Sequence, residues 1–98
     1  MIHHSVMIKL VESATDADRQ AIIDSANALP QLIPEIRDFS CGQVVGRSAE
    51  QWDVGLAATF ATFDDYSTFS AHPAHRKLEG DVFRPLIANH TSVQFEVP

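Results

Sequence analysis

The sequence predicts an α+β domain of order β-α-β-β-α-β, the split βαβ arrangement of a ferredoxin-like fold. Three observations lead there. Four segments alternate apolar and polar residues with a period of two, as half-buried strands do. Two segments carry apolar residues at helical spacing behind recognisable N-caps. The two kinds of segment interleave in that order along 98 residues, a length suited to one domain spanning residues 1–98.

The first strand is expected from His3 to Leu10, with His4, Val6, Ile8 and Leu10 on one face and His3, Ser5, Met7 and Lys9 on the other. Thr15 and Asp18 then form a capping pair, with Asp in the place usually held by Glu or Gln. Behind it Ile22, Ala26, Leu29 and Ile33 trace one helical face, and Pro30 and Pro34 bracket its end. The run from Ile36 to Gly46 reads as a second strand, with Phe39, Cys41 and Val45 on one face and a bulge expected at Gly42. Arg47 to Gln51 is polar and connects to a third strand from about Trp52 to Thr62, where Val54, Leu56, Ala58 and Phe60 share a face.

Thr62 and Asp65 offer a second capping pair, opening a short helix that carries Tyr66 and Phe69. Pro73 in His72-Pro73-Ala74-His75 breaks or bends it. Leu78, Val82, Phe83, Leu86 and Ile87 form another helical stripe, which Gly80 and Pro85 interrupt, so two short pieces or one kinked helix are expected. Ser92 to Val97 alternates cleanly and closes the chain as a last strand.

Composition narrows the function. Hydrophobic residues at 45% and charged residues at 20% describe an ordinary folded chain. Seven basic against thirteen acidic residues, a net charge of −6, exclude nucleic acid and anionic membranes as main partners. A single cysteine, Cys41, excludes a disulfide framework and reads as a small hydrophobe in a strand. The opening MIHHSVMIKL lacks a signal-peptide pattern, and no stretch approaches the ~20 apolar residues of a membrane span. A cytoplasmic protein is expected. A four-stranded sheet with helices on one side leaves its other face wet. The apolar file His4-Val6-Ile8-Leu10, or else Val54-Leu56-Ala58-Phe60, is expected there, and a homodimer would cover it.

Five histidines carry most of the available chemistry, because imidazole titrates nearest neutral pH. His4 shares the inward apolar file and His3 points away, while His90 precedes the last strand. His75, at the junction after the Tyr66–Phe69 helix, suits a general acid/base at the mouth of a pocket, with His4 beside it. Leu56, Phe60, Tyr66, Phe69 and His72 are the expected lining. No metal-ligand set is evident, since His72 and His75 stand three apart across a proline without a third ligand. A nucleophile elbow is missing, and the four glycines never cluster into a phosphate loop, so no cofactor is expected.

The opening H-x-V-x-x-K-L (His4, Val6, Lys9, Leu10), followed by F-x-x-x-x-x-Y-x-x-F-x-x-H-P-x-H from Phe60 to His75, resembles the stress-responsive α/β-barrel (Dabb) domain family over nearly the whole chain. The resemblance implies a ferredoxin-like protomer that pairs with a second copy to form a dimeric α+β barrel. In a plant polyketide cyclase of that family the second His of His-Pro-x-His is the general base, a role that falls on His75, and the strand-one His corresponds to His4. That cyclase has a tyrosine where this chain has Phe69, so one hydroxyl of its machinery is missing. The expected activity is therefore cofactor-free chemistry of aldol, cyclase or isomerase type on a small hydrophobic or carbonyl-containing ligand. The alternatives are a non-catalytic dimeric protein of stress response or ligand binding, and a cofactor-free monooxygenase-like barrel.

Overall fold

A computed structural model describes residues 1–98. Four strands form one antiparallel sheet: β1 (Ile2–Leu10), β2 (Asp38–Gln43), β3 (Val54–Phe60) and β4 (Ile87–Glu96), in the order β2-β3-β1-β4. Helices α1 (Asp16–Asn27), α2 (Phe63–Ala71) and α3 (Pro73–Leu78) supply the second layer. The expected ferredoxin-like order is the observed one.

The helix starts form where the caps predict. Thr15 accepts from the Asp18 backbone N–H, and Asp18 accepts in return from the Thr15 N–H, a complete capping box. Thr62 likewise accepts from the Asp65 N–H. Ile22, Ala26, Leu29 and Ile33 are all buried, although α1 ends at Asn27 and a short 3₁₀ turn at Leu29–Gln31 carries the apolar face onward. Asn27 then clamps α1 over the β2 edge. Its side chain donates to the Cys41 carbonyl and accepts from the Cys41 N–H, both at 3.0 Å.

Register corrects the expected outer face. In the antiparallel pairing of β1 with β3, His4 faces Ala58, Val6 faces Leu56 and Ile8 faces Val54. Directly opposed residues project to the same side, so both apolar files meet the helices and neither lies outside. The outer face is more mixed, with His3, Ser5, Met7 and Lys9 from β1 opposed to Ala57 and Thr59 of β3 and to Val93 and Phe95 of β4. His3 stacks on Phe95 at 5.3 Å between ring centroids.

The strand limits also move. β2 spans only Asp38–Gln43 and pairs without a break, Gly42 opposite Gly55, so the expected bulge is absent there. The register shift falls instead between Lys9 and Leu10 against β4, where the Leu10 N–H finds Asp53 Oδ2 at 2.8 Å. The polar connection expected over Arg47–Gln51 is mostly a short 3₁₀ turn, Gly46–Glu50. Gly46, expected as the end of the second strand, opens it at φ 71°, a left-handed value that favours glycine. β4 begins at Ile87, five residues earlier than the alternation suggests. The long central β1 offers backbone partners to Leu10, and pairing with it draws Ile87 and His90 out of the expected helical stripe and connector into the ladder.

Candidate functional site

A cavity of about 380 Å³ opens between the β1–β4 half of the sheet and the α2–α3 layer. Its floor is apolar, built from Val6, Ile8, Leu56 and Ile87, with Phe69 and Phe83 from the helical side. Around this floor stand six ionisable side chains: His4, Tyr66, His75, Glu79, Arg84 and His90.

His75 is placed by a failure of helix continuity. Pro73 holds the preceding His72 in the extended region (φ −62°, ψ 137°), ending α2 and starting α3. The His72 ring turns back as an N-cap, its Nδ1 accepting from the Ala74 N–H at 3.0 Å. In an unbroken helix that N–H would have gone to the Ser70 carbonyl. The orphaned carbonyl is 3.1 Å from His75 Nδ1 and accepts its proton. Glu79, one turn later, sets its carboxylate 3.3 Å from the same nitrogen. With Nδ1 protonated toward these two acceptors, the lone pair of the neutral ring resides on Nε2.

His4 is placed by the sheet. It sits in the central strand opposite Gln94, whose side-chain Nε2 donates to His4 Nδ1 at 2.9 Å. The proton of this ring therefore lies on Nε2, the opposite tautomer to His75. Only 7% of His4 remains exposed. Burial, reinforced by the nearby His75, lowers its pKa from 6.5 to about 4, so the ring is neutral at pH 7. Phe69 lies between the two imidazoles, its ring centroid 4.4 Å from His75 and 5.9 Å from His4. Tyr66 packs against His4 at 5.1 Å and places a phenol ring on the cavity wall.

The structure thus brings His4, Leu56, Tyr66, Phe69 and His75 to one cavity. Two residues of the expected lining stand elsewhere. His72 is occupied as the α3 cap, and Phe60 lies fully buried beneath Tyr66 and Phe69, whose rings are 5.7 and 5.1 Å away. Cys41 is set apart in β2, and burial pushes its thiol up to about 11, which leaves it an unreactive thiol at neutral pH.

Sequence reasoning missed Glu79, Gln94, His90, Ser92 and Arg84. Glu79 was within reach, since it stands four residues after His75 on a helical segment. Ser92 and Gln94 already share a face of the expected last strand, and His90 joins them only once the strand is known to start at Ile87. Arg84 left no readable signal, because its direction depends on a widened turn over Glu79–Phe83, where the Arg84 N–H bonds the Glu79 carbonyl five residues back.

The sequence matches the family described as the stress responsive A/B barrel domain, Dabb, over residues 2–97. The chain belongs to the Dabb family. A dimeric ferredoxin-like protein of unknown function from Thermobifida fusca superposes with a TM-score of 0.86 at 25% identity, covering 98% of this chain and 90% of that one. A Dabb family protein of ferredoxin-like fold from Mesorhizobium loti gives 0.83 at 18% identity, with 99% and 95% covered. A hydroxynitrile lyase from Passiflora edulis shares the fold at a TM-score of 0.86 and 17% identity, with 99% and 93% covered. No curated protein matches the sequence. In this Dabb protein the sheet and helices surround the cavity, and none of its helices is long and apolar enough to cross a membrane.

Proposed function

We propose that this Dabb protein is a homodimeric, cofactor-free acid–base enzyme acting on a small carbonyl compound, with His75 as the base. The observation that carries this reading is the double anchoring of His75 Nδ1 by the Ser70 carbonyl and the Glu79 carboxylate. It fixes the ring tautomer with a basic Nε2 and provides a carboxylate that stabilises the imidazolium once a proton arrives. Triads of hydrolases orient their histidines on the same principle.

In the proposed cycle, Nε2 removes a proton from the carbon beside the carbonyl, leaving an enolate and a His75 imidazolium. The neutral His4 keeps a proton on Nε2 and donates it as a hydrogen bond to the enolate oxygen, since a ring with its pKa near 4 is not itself protonated at neutral pH. The proton returns from His75 to the carbon or to the oxygen of the product, so no co-reactant is consumed. Leu56, Phe69 and Phe83 give the site an apolar wall, and the lower local dielectric beside it strengthens both hydrogen bonds.

Dimer formation rests on the outer sheet face, where Val93 and Phe95 are about half exposed beside His3 and Met7, and on the dimeric description of the Thermobifida relative. The test of the chemistry is exchange of α-protons in deuterated water, followed by proton NMR on a panel of small ketones and keto acids. The wild-type protein should accelerate exchange, and His75→Asn should lower the rate by about 10²–10⁴-fold. No acceleration by the wild type, or an unchanged rate in His75→Asn, overturns the assignment. Light scattering on the purified protein tests the dimer, and a monomer at all concentrations would overturn that part.

A further inference from the structure

Of the residues lining the cavity, two carry a full charge at neutral pH, Glu79 and Arg84. Their situations differ. Glu79 is engaged with His75 at 3.3 Å. Arg84 has no carboxylate within ion-pairing distance, and its guanidinium makes no hydrogen bond to another part of the chain. In a protein with a net charge of −6, acidic partners are plentiful, yet the one cation at this cavity faces none of them.

We infer that Arg84 is the anion anchor of the cavity, and that the ligand is a small carbonyl compound that also carries a carboxylate. A guanidinium presents a planar fork that fits a carboxylate with two parallel hydrogen bonds, and it stays charged at every accessible pH. His90 and Ser92, also on the lining, are positioned to hydrogen-bond an anion beside the fork. The apolar floor takes the carbon skeleton between them. At about 380 Å³ the cavity stands near the lower end of the usual ligand range of roughly 300–1,000 Å³, which suits a short keto acid better than an extended chain.

The placement follows from the local backbone. The widened turn Glu79–Phe83 gives way to a single helical turn at Arg84–Leu86, where Pro85 has no N–H to continue the helix, and β4 starts at Ile87. Arg84 is therefore carried on the connection that delivers the chain from the α3 layer to the open edge of the sheet, at the mouth of the cavity and not within its floor. That position lets the carboxylate remain partly hydrated while the carbonyl end goes inward toward His75 and His4.

This inference rests on the acid–base reading for the identity of the carbonyl, but its test needs no turnover. The imidazole resonances of the 15N-labelled protein report occupancy, with levulinate as the keto acid and 2-pentanone as its neutral counterpart. Levulinate should shift the His75 and His90 signals and bind about tenfold or more tightly than the neutral ketone, the difference expected for a charge-assisted pair. Arg84→Met should remove that preference and leave the thermal midpoint within about 2 °C of wild type, as for an exposed substitution. Arg84→Lys should restore part of it, because the charge returns without the fork. Equal binding of the two probes by wild type, no binding of levulinate, or an unchanged preference in Arg84→Met overturns the anchor. Levulinate binding that depends on Arg84, with no α-proton exchange in any compound of the ketone and keto-acid panel, would uphold the anchor while refuting the catalytic role of His75.

Discussion

The two neighbours of β1 treat the same inner face in opposite ways. On one side β3 contributes Val54, Leu56, Ala58 and Phe60, all 6% exposed or less. On the other, β4 contributes His90, Ser92 and Gln94, of which Gln94 is half-buried and the others exposed. From His4 to Ile8 both strands pair with β1 in unbroken antiparallel register, so backbone geometry does not separate them there. Side-chain chemistry does. The β3 file draws α1 and α2 down onto the sheet and closes the core, whereas the β4 file offers little apolar area to bury, and the helical layer stands off it. The cavity is the gap that results, with His4 on the seam between the closed half and the open one. A site needs this asymmetry, because a fully packed half would admit no ligand and a fully open one would supply no low-dielectric wall.

The contrast can be broken most strongly from the closed half. Phe60→Ala removes a fully buried ring from beneath Tyr66 and Phe69 and should cost about 3–5 kcal/mol in urea unfolding. A loss below about 1 kcal/mol would mean that the β3 half is not the stabilising one.

The seam is tested by pH. His4 has its folded-state pKa lowered from 6.5 to about 4, so the unfolded chain binds the proton first as the solution is acidified. Its contribution to stability is fully present above pH 6.5, falls as the pH drops from 6.5 toward 4, and levels off below that. At ~1.4 kcal/mol per pKa unit the loss is of order 3 kcal/mol. His4→Asn should flatten that part of the stability–pH curve, and parallel curves for the two proteins would remove His4 as its source.

Smaller effects sharpen the comparison. Thr15→Ala deletes one arm of the capping box of α1, the helix clamped over the β2 edge, and should cost about 1 kcal/mol by the same unfolding assay. Ser92→Ala, on the open half, should change stability by less than about 0.5 kcal/mol. A larger cost at Ser92 than at Thr15 would reverse the assignment of closed and open halves.

Much of this was legible beforehand for a local reason. The capping pairs at Thr15 and Thr62, the buried stripe Ile22-Ala26-Leu29-Ile33, and the inward direction of His4 all depend on residues three or four apart, or on alternation within one strand. The break at Pro73 is equally local, and it placed His75 on the side of the junction where the cavity lies. What escaped was non-local. The start of β4 at Ile87 depends on how long β1 is, and the side to which Val54-Leu56-Ala58-Phe60 turns depends on its register against Val6 and Ile8.

The amino-acid sequence by itself determined the order of elements, the helix caps, the core stripe and the proline break that frees the Ser70 carbonyl. These are set by propensity, hydrogen-bond supply and periodicity, which act over a few residues. Only the tertiary structure decided that Gln94 would meet His4 across 90 positions of chain, that His90 and Arg84 would join His75 at one cavity, and that Phe60 and His72 would stand outside it. Strand pairing and the packing of layers bring such groups together, and their outcome depends on the whole sheet at once.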